Sequence, residues 1–181
     1  MQRAIVEAPD LSGAALLQLK QWLGITRDNE DAQLIGLLQA ALDMCEAFTG
    51  QFALEVEVEE ALPPSGAWQR LASRPVTAIL AADLVGRDGS RTTLASGSYE
   101  VDIDTQGVGC FRSRPLNDAQ SIRVRARAGV AADWLSLPDA LKHGIIRLAA
   151  HHYRDRDMTE SLSPPASITA LWRPWRLMRI A

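Results

Sequence analysis

Leu54-Glu55-Val56-Glu57-Val58-Glu59 is the stretch on which the reading of the fold turns. Its residues alternate strictly between apolar and acidic, the period-two pattern of a strand that buries one face and wets the other. Leu54, Val56 and Val58 share one face, and Glu55, Glu57 and Glu59 share the other. Pro63, Pro64, Ser65 and Gly66 break the strand. Toward the N-terminus the period is helical instead. From Asp28, Leu34, Leu38, Ala41, Leu42, Cys45 and Phe48 recur on one stripe, with Asp28 as expected N-cap, Glu30 and Asp31 suiting the positive end of the helix dipole, and Thr49-Gly50 as the stop. Such a helix is about 30 Å long at a rise of about 1.5 Å per residue. A shorter helix is predicted from Asp10 to Leu23, carrying Leu16, Leu19, Trp22 and Leu23 and closed by Gly24, after an extended opening.

Toward the C-terminus, strands are predicted at Val76 to Val85, Ser98 to Ile103 and Ser121 to Ala128. Short connections rich in Gly, Asp and Ser separate them, which favours an antiparallel sheet. In the last of these strands Arg123, Arg125 and Arg127 share a face, a basic mirror of the acidic strand. Ser136-Leu137-Pro138-Asp139 reads as a helix start with Ser136 as N-cap, and Leu141, Ile145, Leu148, Ala149 and His152 form the stripe that follows. Helices at both ends and strands between them predict the α+β class.

The composition then shifts. Met158 to Ser167 is rich in Ser, Thr and Pro and reads as a linker, and Ile168 to Ala181 holds Trp172, Trp175, Arg173, Arg176 and Arg179 but no acid. Fourteen residues build no core of their own, and tryptophan interleaved with arginine is typical of binding anchors. The expectation is a segment mobile in the free protein that docks on a partner; the alternative is that it folds back over its own helix.

At 181 residues the chain fits one domain with an appended segment. The net charge of −3 conceals a dipole: residues 1–111 carry 7 Lys and Arg against 16 Asp and Glu, whereas residues 112–181 carry 12 against 6. Such a layout suits charge pairing within or between subunits better than a uniform phosphate-binding footprint. No apolar run is long enough to span a bilayer, and the opening residues lack a signal peptide's hydrophobic stretch, so a cytosolic protein is expected. Cys45 and Cys110, far apart and outside any CxxC, are expected as reduced thiols.

The sequence holds no GxSxG elbow, no P-loop lysine motif and no complete dinucleotide loop, since Gly107-Val108-Gly109-Cys110 lacks the third glycine. His151, His152 and Asp155 are the best metal candidates, but the only other histidine, His143, lies about two helical turns away and the ligand set falls short. No enzyme, metal or cofactor is expected. If Glu55, Glu57 and Glu59 lie beside Arg123, Arg125 and Arg127, cross-strand pairs of about 0.2–1 kcal/mol each would fix register; the alternative is that the two faces meet across a subunit boundary.

The order of features resembles the head-tail connector (adaptor) proteins of tailed bacteriophages and gene transfer agents. The residues that carry it are Leu16 to Ile25, the acid-started helix ending in Glu46-Ala47-Phe48-Thr49-Gly50, Arg74-Pro75-Val76, Asp88-Gly89-Ser90, Tyr99-Glu100-Val101-Asp102 and Leu137-Pro138, together spanning nearly the whole chain. The resemblance implies a helical bundle, two N-terminal helices and one long C-terminal helix, with a small antiparallel β element and an extended C-terminal tail. Residues 1–157 would form the connector domain, and 158–181 the linker and portal-docking segment. It also implies a ring of about a dozen copies at the head-tail interface of a virion or phage-like particle made in the bacterial cytoplasm. The ring would touch the portal, a downstream tail or stopper protein and, transiently, passing DNA, with no membrane. The candidate portal contacts are Trp172, Arg173, Trp175, Arg176 and Arg179. A nucleic-acid-binding or regulatory module using the arginine strand is the alternative.

Overall fold

The helical and the alternating stretches sort into separate units in a computed structural model that describes residues 2–114, 119–155 and 163–177. One unit is built from 9–54 and 130–181, the other from 1–8 and 55–129, each from the described residues in those ranges.

The helical unit contains α1 (Ala14–Leu23), α2 (Asp31–Thr49), α3 (Asp139–Arg154) and α4 (Ala166–Trp172), the last followed by a 3-10 turn at Arg173–Trp175. Leu19, Leu34, Leu38, Ala41 and Cys45 from the first two helices meet Leu141, Ile145, Leu148 and Ala149 from α3 in one core. Each large aliphatic side chain so buried contributes about 1.5–3 kcal/mol. Gly24 and Gly50 close α1 and α2 in the left-handed conformation, as their sequence positions predict.

The helix starts differ from expectation. The N-cap of α2 is Glu30, and Asp28 instead joins Asp31 in accepting hydrogen bonds from Lys20 Nζ, at 2.6 and 2.7 Å. These two bonds hold the Lys20 pKa above its ordinary value. Ser136 does not cap α3, which starts at Asp139 behind Pro138; its hydroxyl serves a turn with Asp133, donating to the Asp133 carboxylate at 2.9 Å. A local side-chain turn outcompeted the cap, an alternative Ser and Asp both offer the backbone.

The expected β element is not small. The sheet unit holds β1 (Gln2–Glu7), β2 (Val56–Leu62), β3 (Gln69–Arg70), β4 (Val76–Gly86), β5 (Arg91–Thr93), β6 (Tyr99–Ile103), β7 (Gly109–Ser113) and β8 (Ala119–Ala128). They form a five-stranded antiparallel sheet in the order β1-β2-β8-β4-β5 and a three-stranded one in the order β3-β7-β6. Val56, Val58, Leu62, Ile122, Val124, Ala126 and Ala128 are buried, as is Phe111 on β7. The sequence undercounted strands because β1 and β5 are exposed at sheet edges and lack alternation. Strand β7 opens on Gly109. A Cβ there would stand 2.9 Å from Val76 Cγ2 and 3.0 Å from Leu71 Cδ1, so the glycine permits close packing.

The C-terminal tail is not extended where it is described. Ile168 and Trp172 on α4 enter the helical core, and Leu177 donates its N–H to the Thr49 carbonyl at 2.8 Å. The expected linker lies largely outside the described residues, as does Arg179.

Candidate functional site

Two regions gather the residues singled out by the sequence, one in each unit. In the sheet unit, β2 and β8 pair antiparallel with Glu57 opposite Arg127, Glu59 opposite Arg125 and Ala61 opposite Arg123. Acids and arginines therefore share the outward face of neighbouring strands. Arg125 Nε approaches Glu57 Oε1 on the diagonal at 3.6 Å. Glu59 takes a different partner: Arg91 on β5 grips its two carboxylate oxygens at 3.0 and 3.2 Å, across two intervening strands. A two-pronged guanidinium–carboxylate contact is the strongest geometry an ion pair has. Glu55 stands apart from the arginines and accepts a hydrogen bond from the Thr77 hydroxyl at 3.0 Å.

The balance of this face follows from exposure. The Glu57 and Glu59 side chains are 17% and 14% exposed, whereas that of Arg125 is 44% exposed, and Arg127 is also exposed. Acids sit low and arginines high, so the outermost charge is basic. Arg123 is half-buried, and its Nε is buried without a hydrogen-bond partner.

Sequence reasoning passed over Glu60, although Glu59-Glu60 breaks the alternation and puts the second acid on the apolar face. It is buried, and its carboxylate accepts the backbone N–H groups of Ala72 and Ser73, both at 2.8 Å. It clamps that loop to the sheet. Also missed was Trp68, nearly half exposed, with the Arg112 guanidinium 4.8 Å from its ring centre and Arg112 paired in turn with Glu100.

In the helical unit the aromatic candidates separate. Trp172 is 0% exposed, lies against Phe48 at a centroid distance of 6.1 Å, and points its indole N–H at the Leu141 carbonyl 3.5 Å away. It is a core residue, which removes it from the docking candidates; the reason is its helical spacing from Ile168, which turns both inward. Trp175 is half-buried against the same core, and its carbonyl accepts a hydrogen bond from Gln51 Nε2. Arg173 and Arg176 are exposed, the latter 5.3 Å over the Phe48 ring. Over 163–177 the segment has folded back on its own helices.

A shallow groove of about 470 Å³ lies between α1 and α3, lined by Gln18, Trp22, His143 and Ile146 among others. His143 meets the Trp22 ring edge-on at 5.4 Å. His151 Nδ1 lies 2.8 Å from the Asp155 carboxylate, and partial burial, followed by the neighbouring His151, lowers the His152 pKa. Among the described residues no group of three or more His, Cys, Asp or Glu could hold a metal, and no helix is long and apolar enough to cross a membrane. Burial pushes the Cys45 thiol up to about 12, so it is a poor nucleophile at neutral pH.

Neither a family model nor a curated protein matches the chain. Solved structures do. Its fold is shared, at a TM-score of 0.79 and 24% identity over 100% of this chain and 98% of the other, with a chain in the neck of an empty GTA particle computed with C6 symmetry. Chains in the virion of a native gene transfer agent particle and in the neck of a native GTA particle computed with C12 symmetry match at 0.77, with the same identity and coverage. At this level of identity the likeness establishes the fold: the chain is an α+β protein built, end to end, like those particle components.

Proposed function

We propose that this chain is a structural head-tail connector (adaptor) that forms a ring beneath the portal of a phage-like or gene transfer agent particle, extends the DNA channel and joins head to tail. The observation that carries the reading is the end-to-end fold likeness to chains of gene transfer agent necks and virions. The work is mechanical and needs no cofactor. Its partners are further copies of itself in a ring of about a dozen, the portal, and a tail or stopper protein.

The charged sheet face supports the ring. Arg125 and Arg127 stand outermost, so a neighbour or portal surface carrying acids would be steered to them. Interleaved acids make the same face a poor phosphate grip, which disfavours the nucleic-acid module as the main role. On the helical unit, Arg173, Trp175 and Arg176 remain candidate portal contacts.

Mass measurement of the purified chain with and without its portal tests this. A ring of about a dozen copies, alone or on the portal, is expected, and it should weaken as salt rises, because exposed charges are screened over about 8 Å at physiological ionic strength. Arg125→Glu with Arg127→Glu should reduce assembly with the fold intact. A chain that stays monomeric under both conditions, or that binds a specific DNA sequence at nanomolar strength, overturns the reading.

A further inference from the structure

We propose that the open edge of β6 receives a strand from another protein, one in which arginine or lysine alternates with apolar residues. The inference goes beyond the connector reading and does not require a ring. Each sheet ends in two edges, and they are not equivalent. Strands β3 and β5 have two and three residues, too short for a lasting ladder, and β1 is broken by a register shift between Ile5 and Glu7. Strand β6 runs five residues, Tyr99 to Ile103, in unbroken register with β7. A free edge of that length is a template for a further strand. Asp104 donates its N–H to the Val108 carbonyl, and the Ser98 carbonyl accepts the Arg114 N–H. Since backbone direction alternates along an antiparallel strand, Glu100 and Asp102 also turn toward β7, and the N–H and C=O groups of Tyr99, Val101 and Ile103 point off the open edge.

The side chains set what the added strand must carry. Directly opposed residues share a face, so Tyr99, Val101 and Ile103 lie on the face of Phe111, and Glu100 and Asp102 on the face of Arg112. Val101 and Ile103 remain 46% and 37% exposed although Phe111 beside Val101 is fully buried, so the apolar surface left over lies along the edge. On the other face Glu100 is paired with Arg112, whereas Asp102 is exposed and has no ion pair or hydrogen bond among the described residues. An antiparallel newcomer gains most by placing apolar residues opposite Val101 and Ile103 and a base opposite Asp102. A second β6 is the wrong partner: centred on Val101, it would set Glu100 against Asp102, acid against acid. Among the described residues the stretch that alternates arginine with apolar residues is β8, which is held between β2 and β4. The strand that fits must come from a different protein.

The probe is a capped peptide of alternating valine and arginine, fluorescently labelled and titrated with the full chain while its anisotropy is read. Binding should be at least tenfold tighter than that of a peptide with the same residues in two blocks, which keeps the charge and loses the period. A valine opposite Val101 exchanges both ladder bonds with it, whereas an arginine opposite Asp102 turns its own N–H away. N-methylation of the valines should therefore weaken binding at least tenfold, and N-methylation of the arginines at most about twofold. On the protein side, Val101→Pro removes an N–H that β7 does not use, a place where an edge strand tolerates proline, and Asp102→Lys sets base against base. Each should weaken binding at least tenfold with thermal unfolding within a few degrees of wild type, and Asp102→Lys should transfer the preference to a valine–glutamate peptide. No binding at millimolar concentrations, equal binding of the block peptide, or equal loss on both methylations overturns the proposal. So does self-association of the wild-type chain that Val101→Pro abolishes, because it places a second copy on the edge.

Discussion

Strand β8 and the segment from α4 to Leu177 are similar in inventory, arginine alternating with apolar residues, and opposite in arrangement. In β8 the period of two sends Ile122, Val124 and Ala126 into the core and the arginines outward. In the C-terminal segment the helical period sends Ile168 and Trp172 inward and leaves Arg173 and Arg176 in solvent. Composition alone marks both as sticky. Position within the period decides which residues face outward and which hold the subunit together, and by that measure Trp172 belongs to the fold, whereas Arg125 and Arg127 stand on the outward face that we propose for assembly.

The sharpest break in this comparison is Trp172→Ala. Truncating a fully buried tryptophan costs about 3–5 kcal/mol, and for a chain of this size each kilocalorie moves the midpoint by about 2–4 °C. Thermal unfolding followed by circular dichroism should therefore fall by about 6–20 °C. Gly144→Ala probes the same contact from the other side: a Cβ there would lie 2.2 Å from Trp172 Nε1, and such overpacking costs about 1–3 kcal/mol, against a helix-propensity gain of up to about 1. Unchanged unfolding in both variants, with portal binding lost in the first, would hand Trp172 back to the docking surface.

Gly144 also shows what the sequence held unread. A glycine in the middle of a helix is unfavourable unless something must come close, and here the indole sits on it. The helices α1, α2 and α3 and the strands β2 and β8 were legible because each buries one face and so carries its period openly, whereas β4 and β6 were legible from their apolar and aromatic content and the turn residues that bound them. Strands β1 and β5, exposed at sheet edges, offered no buried face to read. The candidate charges were legible as a face, since alternation puts Glu57, Glu59, Arg125 and Arg127 on one side of the sheet once β2 and β8 are neighbours. Their pairing was not: that Arg91 takes Glu59 depends on which strand lies three places beyond β2, a fact of topology rather than of local sequence.

A middle-sized effect separates the two cysteines. Burial raises the Cys45 thiol from its ordinary value of 9.0 to about 12, so the folded state holds its proton where the unfolded chain releases it. The folded state is then disfavoured progressively as pH climbs from about 9 toward 12, by up to about 1.4 kcal/mol per unit, and this contribution is absent below that window. Cys45→Ala should remove this component of the alkaline loss in urea titrations at pH 8 and pH 10. A thiol reagent at pH 8 should label half-buried Cys110 and spare Cys45 until the chain unfolds; prompt labelling of both would show that the helical core opens readily.

The smallest effects lie on the sheet face, and they grade its ion pairs. Arg91 grips a carboxylate that is 14% exposed with two bonds, whereas Arg125 reaches Glu57 singly at 3.6 Å from a side chain 44% exposed. Exposed pairs are worth about 0.2–1 kcal/mol, so Arg91→Ala should approach the upper end and Arg125→Ala the lower in urea unfolding of the isolated subunit. Both losses should shrink in 1 M salt, where charges are screened over about 3 Å. The ring should respond in the reverse order: Arg125→Ala weakens assembly more than Arg91→Ala, because the guanidinium of Arg91 is already engaged within its own subunit. A cost of more than about 2 kcal/mol for Arg125→Ala in the monomer would place that arginine in the fold and remove it from the assembly surface.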